Sequence, residues 1–180
     1  MRIISGKYKG KRLIAPKKLP VRPTTDFAKE SLFNILNNHY FFDEISVLDL
    51  FSGTGNISFE FASRGCENIH SVDITSSCIQ FINKIAKELH FPIKITKADV
   101  FKFLEHYTQK STVIFADPPY DMEQNQFEQL VKLIFSNNLI TDNGMLIVEH
   151  SKHTDLDHLP NFSSQRKYGG NVFSFFKTNT

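Results

Sequence analysis

Tryptophan is absent from this 180-residue chain, and only two cysteines occur, Cys66 and Cys78. They form no CxxC pair and have no histidines at metal-ligand spacing. A disulfide scaffold and a structural zinc site are therefore disfavoured; no metal is expected, and a reducing cytoplasm is the expected setting. No apolar run approaches the ~18 residues of a membrane-spanning helix. The opening MRIISGKYKGKRL carries charge but no apolar stretch, so a secretory signal is not expected either. The seven histidines show no ligand spacing or triad, and neither cysteine has a base partner that would make it a nucleophile. What the chain does have is apolar material. It is 41% hydrophobic with 18 phenylalanines, enough for the core of one domain and too much for a disordered protein.

Charge is unevenly spread. Residues 1–29 hold nine basic side chains (Arg2, Lys7, Lys9, Lys11, Arg12, Lys17, Lys18, Arg22 and Lys29) against the single acid Asp26. The remainder is net acidic, and the whole chain carries only +2. A basic arm on an acidic body points to a polyanion held at one end. Lys and Arg interleaved with Gly and Tyr8 suit phosphate contacts with occasional base stacking, so nucleic acid is the favoured partner over a merely solvated surface.

Beyond the arm, strand-like and helix-period segments alternate. Asp26–Asn37 reads as a helix with Phe27, Leu32, Phe33, Ile35 and Leu36 as apolar positions, capped by Thr24, Thr25 or Asp26. Strands are expected at 45–50, 68–72, 93–96, 112–116 and 144–148, with helices at 56–64, from Thr75 or Ser76 to Leu89, at 100–107 and around 127–135. Such alternation predicts βαβ units and a parallel sheet covered on both faces. The alternation breaks at the end. Residues 165–168, Gly169-Gly170 and residues 172–176 read as a hairpin that adds antiparallel strands.

Two segments carry chemistry. Asp49-Leu-Phe-Ser-Gly-Thr-Gly55 lies between a strand and a helix, where glycines let backbone approach a ligand at the carboxyl edge of a sheet. Asp73 ends the next strand, where a carboxylate can accept from ribose hydroxyls. A dinucleotide fingerprint would need a third glycine where Ser58 stands, and Asp49 would repel a pyrophosphate but suit a cationic amino acid group. The second segment is Ala116-Asp-Pro-Pro-Tyr120. Pro118 and Pro119 remove two donors, so the carbonyls of Asp117 and Pro118 stay available as acceptors beside the Asp117 carboxylate and the flat face of Tyr120. Acceptors converging beside a stacking ring match the exocyclic amine of a nucleobase. Asp99 is either a contact to a cofactor base, with Val100 or Phe101 against the ring, or a helix cap.

Arg22-Pro-Thr-Thr-Asp-Phe-Ala-Lys-Glu-Ser-Leu-Phe-Asn34, Asp49 to Gly55, Asp117-Pro-Pro-Tyr120 and Val148-Glu149, in this order, resemble the bacterial 16S rRNA guanine-N2 methyltransferase family over nearly the whole chain. The resemblance implies a class I methyltransferase: a three-layer α/β/α Rossmann-like fold with a seven-stranded, mostly parallel sheet and a C-terminal antiparallel hairpin. It implies S-adenosylmethionine as cofactor, held by Asp49, Phe51, Ser52, Gly53, Thr54, Gly55, Asp73, Ile74, Asp99 and Val100. It assigns the target guanine to Asp117, Pro118, Pro119 and Tyr120. The expected RNA contacts are Lys7, Lys9, Lys11, Arg12, Arg22, Thr24 and Thr25. Residues 1–25 are expected to be a basic RNA-binding arm and 26–180 the methyltransferase domain. The expected partner is 16S rRNA in a small ribosomal subunit or assembly intermediate, met by a monomer with no membrane association. The other readings are an adenine-N6 methyltransferase, a protein glutamine methyltransferase (which more often carries Asn where Asp117 stands) and a non-catalytic RNA-binding module.

Overall fold

A computed structural model of the protein describes residues 1–16 and 24–178. The expected Arg22 contact, with Lys17 and Lys18, lies outside the described residues. The elements run α1 (Asp26–Asn37), β1 (Ser46–Leu50), α2 (Asn56–Ser63), β2 (Asn68–Asp73), α3 (Ser76–Leu89), β3 (Ile93–Lys97) and α4 (Val100–His106). They continue with β4 (Ser111–Ala116), α5 (Gln124–Ser136), β5 (Ile140–Ser151), β6 (Phe162–Tyr168) and β7 (Asn171–Lys177). Together the strands form one seven-stranded sheet in the order β3-β2-β1-β4-β5-β7-β6. The first five pair in parallel, and β7 joins antiparallel to both β5 and β6. The fold is the expected three-layer α/β/α arrangement.

Side-chain alternation sorts the core into two layers. Val47, Ile69, Val113, Phe115 and Ile147 face α1 and α2, whereas Leu48, Leu50, Val72, Ile114 and Val148 face α4 and α5. β5 starts earlier than its apolar run suggests, at Ile140 rather than Gly144, and runs on to Ser151. A register shift between Ser111 and Val113 lets β4 accommodate the turn-like residues Asp142-Asn143-Gly144 within β5.

Residues 1–13 are docked rather than extended. An antiparallel bridge joins Arg2 to Arg12, and Ile3 and Leu13 are buried against Phe59 of α2 and Phe81, Ile82 and Ile85 of α3. Gly6, at φ +81°, lies so close to the last turn of α2 that a Cβ would sit 1.8 Å from the Ser63 carbonyl oxygen. Lys29, counted among the arm's cations, is buried inside α1's packing face and pairs with Glu60.

Candidate active site

β1 and β4 are neighbours, while the chain continues from β1 toward β2 on one side and from β4 toward β5 on the other. This is the topological switch point, where open α/β sheets hold ligands outside the strands' carboxyl ends. The register brings Leu50 opposite Ala116, and the Asp117 N–H donates to the Leu50 carbonyl at 3.3 Å. The loops that follow β1 and β4, far apart in sequence, are thus direct neighbours.

The loop after β1 is folded against the end of β2. The Ser52 N–H donates to the Val72 carbonyl at 3.0 Å, and the Gly55 N–H returns to the Ser52 carbonyl at 2.7 Å. The Gly53 N–H donates to Asp73 Oδ2 at 2.8 Å, and the Thr75 N–H donates to Oδ1 at 2.7 Å. Asp73 therefore fixes the glycine loop, and each of its oxygens keeps a lone pair for a ligand hydroxyl. Phe51 has a positive φ of 55°, a conformation L residues seldom adopt, and it turns the chain out of β1. Gly55, at φ +75°, precedes α2; a Cβ there would lie 2.9 Å from Ile82 Cγ1. Ile74 is exposed beside Asp73 and offers an apolar surface at the rim.

Ser58 explains the missing third glycine. Its hydroxyl donates to Asp49 Oδ2 at 2.5 Å and lies 2.7 Å from the Ser71 hydroxyl. Burial pushes the Asp49 carboxyl up to about 7, against the opposing effect of the Ser58 hydrogen bonds and with a small push from Asp73. Among the described residues no cation offsets this. A buried carboxyl that lacks a positive partner fits the ammonium of an amino acid moiety, so the residues suit a nucleoside cofactor with a cationic tail.

In the loop after β4, Pro118 is buried and Tyr120 is 60% exposed at the mouth. The Met122 N–H donates to the Pro119 carbonyl, while the carbonyls of Asp117 and Pro118 accept no backbone bond outside regular elements among the described residues. Burial holds the Asp117 carboxyl well above the usual carboxylate range, and the charges of Glu149 and Asp49 add to the shift.

Glu149, quoted above only within the Val148-Glu149 part of the resemblance and given no role there, also lies at this edge of the sheet. It is buried near the end of β5 and accepts from Thr24 Oγ1 at 2.7 Å and from Asn171 Nδ2 at 2.6 Å. Burial raises its carboxyl too, despite these hydrogen bonds. Asn171 Oδ1 in turn accepts from the Tyr120 hydroxyl at 3.3 Å. A signal was available: β1, β2, β4 and β5 each carry an acid at the carboxyl end, namely Asp49, Asp73, Asp117 and Glu149. The alternation places all four on the α1/α2 face of the sheet.

The other expected residues sit as follows. Asp99 caps α4 by accepting from the Lys102 N–H at 3.0 Å, with Val100 buried behind it. Thr54 is buried in the glycine loop, its hydroxyl 3.7 Å from Met1 Sδ. Thr25 caps α1, and Thr24 is buried on Glu149. Lys7 lies over the Tyr8 ring, and Lys11 pairs with Glu88 at 3.3 Å. Lys9 and Arg12 are exposed on the same docked hairpin.

The family described as conserved hypothetical protein 95 matches residues 1–177. The Ribosomal RNA small subunit methyltransferase D of Buchnera aphidicola (subsp. Baizongia pistaciae) is 30% identical, over 83% of this chain and 75% of its own. The solved structure of yhhF from Escherichia coli superposes with a TM-score of 0.85 at 26% identity, covering 98% of this chain and 96% of that one. The RNA methyltransferase of Salinibacter ruber, solved with S-adenosyl-L-homocysteine, shares the fold with a TM-score of 0.67 at 15% identity, over 86% and 92% of the two chains. Among the described residues no helix is long and apolar enough to cross a membrane. By its match from residue 1 to 177 and by the sheet that frames these loops, the chain belongs to the conserved hypothetical protein 95 family and is a Rossmann-like methyltransferase.

Proposed function

We propose that this enzyme transfers a methyl group from S-adenosylmethionine to the exocyclic N2 of a guanine in 16S rRNA. The observation that carries the reading is the Asp117 N–H to Leu50 carbonyl hydrogen bond, which sets the acceptor-rich loop after β4 beside the glycine loop after β1. The name of the Buchnera relative supports the small-subunit rRNA substrate. The ligand of the Salinibacter structure supports the cofactor.

Residues 51–55, Asp73, Ile74, Asp99 and Val100 would hold the cofactor, with Asp49 on its ammonium. When bound, it would supply an electrophilic methyl group whose sulfonium leaves as a neutral thioether, and N2 would give up one proton on methylation. The chain's own residues prepare the nucleophile. Guanine N2 is a weak nucleophile because its lone pair is delocalised into the ring. The Asp117 carboxylate and the carbonyls of Asp117 and Pro118 accept its N–H bonds and aim the lone pair outward, with Tyr120 against the ring. The base reaches this edge only when flipped or unpaired. On this reading residues 1–25 are the RNA-binding part, residues 26–180 are the methyltransferase domain, and a cytoplasmic monomer meets a small subunit or its assembly intermediate.

Incubating the protein with labelled cofactor and small-subunit rRNA, then digesting to nucleosides, tests the proposal. N2-methylguanosine is expected; N6-methyladenosine or the absence of transfer refutes it. Two further results are expected. An ammonium beside Asp49 favours its ionised form, so binding of S-adenosylhomocysteine releases a proton while Asp49 is protonated. Affinity measured by calorimetry therefore rises as pH climbs toward about 7, and Asp49→Asn removes that rise. Tyr120→Ala loses about 1–3 kcal/mol of RNA binding, the scale of one base–aromatic stack. Tyr120→Phe, which keeps the ring and removes the hydroxyl that donates to Asn171, loses much less. Equal losses would assign the effect to the hydroxyl.

A further inference from the structure

We infer that the groove between α1 and the edge strand β6 carries the RNA strand flanking the target base. The inference rests on the proposed function and extends it from one base to its neighbours. Phe27, in the first turn of α1, is 70% exposed, although the helix period predicts it on the buried face. Its ring meets Tyr168 edge-on at 6.0 Å between centroids. Tyr168 pairs across the hairpin with Asn171, which holds both Glu149 and the Tyr120 hydroxyl. Phe27 and Tyr168 therefore continue the rim on which Tyr120 stands.

From that rim the groove runs down α1 at helical spacing from Phe27 to Ile35, and His39 follows in the turn after the helix. Two positions before Tyr168, on the same face of β6, stands Arg166. The groove ends in a hollow of about 90 Å³ bordered by Ile35, His39, Arg166 and Lys177, with no acid in its lining. His39, Arg166 and Lys177 are exposed, and none forms an ion pair among the described residues. On a body whose residues beyond 29 are net acidic, two unpaired cations and a histidine below two rings are a local departure. Open aromatic edges beside a basic track match single-stranded RNA: the rings stack on a neighbouring base and the cations take the phosphates.

Anisotropy of a fluorescein-labelled single-stranded RNA of about twelve nucleotides, a length within the usual site sizes, tests the groove across several salt concentrations. Phe27→Ala removes a side chain that supports no core, so S-adenosylhomocysteine affinity and unfolding stay as in the wild type. RNA affinity falls roughly 5- to 150-fold, and Phe27→Tyr retains it. The double variant Arg166→Gln/Lys177→Gln flattens the slope of log affinity against log salt by about 0.7 for each phosphate that the protein no longer neutralises. If the wild type methylates RNA while these variants bind it unchanged, the groove assignment is wrong and the proposed function stands. If the wild type transfers no methyl group to RNA, both fall. If Phe27→Ala instead turns a dimer into a monomer in sedimentation with RNA affinity intact, the face is an interface between copies and the inference is overturned.

Discussion

Asp117→Ala is expected to lower methyl transfer by about two to three powers of ten, the scale of one lost transition-state hydrogen-bond partner. S-adenosylhomocysteine binding should persist, because the glycine loop is held by Asp73 and Val72 rather than by Asp117. The companion variant Asp117→Asn separates function from folding. Burial raises the Asp117 carboxyl, and Glu149 and Asp49 repel its charge. A neutral amide of the same shape relieves that repulsion, so Asp117→Asn should unfold at higher denaturant while turning over more slowly. Burial holds the Asp117 carboxyl above its ordinary range, with Glu149 adding to the shift, so turnover of the wild type is expected to rise with pH as Asp117 loses its proton. Asp117→Ala with full activity would remove this residue from the mechanism.

Glu60→Ala should be the most damaging single change to stability. Lys29 is only 1% exposed, and its Nζ donates to the Arg2 carbonyl at 2.7 Å and to Asn56 Oδ1 at 2.8 Å, with Glu60 Oε2 at 3.6 Å as its counter-charge. The same carboxylate accepts from the backbone N–H groups of Ile4 and Ser5 and from Arg64 Nε. Removing it strands a buried ammonium and leaves two half-buried backbone donors without their acceptor. The expected cost is about 3–5 kcal/mol, a large part of the 5–15 kcal/mol typical of a domain. Lys29→Met should cost less, since Glu60 keeps Arg64 and both backbone donors. Burial lowers the Lys29 pKa, with Glu60 and Asp26 acting against it. Folding therefore disfavours the proton on Lys29. The stability of Glu60→Ala should rise as pH climbs from the lowered value toward the free-lysine range, when the native state sheds a charge that it cannot pair. Urea unfolding followed by circular dichroism measures each value. A loss below about 1 kcal/mol for Glu60→Ala would show that the pair does not hold the hairpin of residues 1–13 to α1 and α2.

Where local pattern settles structure, the sequence is a good guide. The strand–helix alternation, the glycine loop and the terminal hairpin are legible because each depends on neighbours within about ten residues. Lys29 is not legible that way. Its burial depends on Glu60, thirty-one positions on, and a lysine within an apolar helix face reads as a charge awaiting solvent. The docking of residues 1–13 has the same origin, since its anchors, Ser63 and Glu60, lie more than fifty positions away. Phe27 shows the converse: its spacing suits a core position, but α1 turns it outward beside Tyr168. At the site, Asp49, Asp73 and Asp117 stand out because a turn follows each of them. Glu149 lies inside an apolar strand that continues past it, and its part emerges only when β5 aligns with β4 and β7.

On the proposed reading, residues 49–55 and 117–120 line one cavity in which a methyl donor faces the amine of a guanine. Mass mapping of 16S rRNA from cells that lack this protein tests it most directly. The claim predicts that one guanine loses the mass of a methyl group, which the wild-type gene restores and Asp117→Ala does not. Ribosomal RNA with an unchanged map, or a missing methyl group on an adenine, would contradict it.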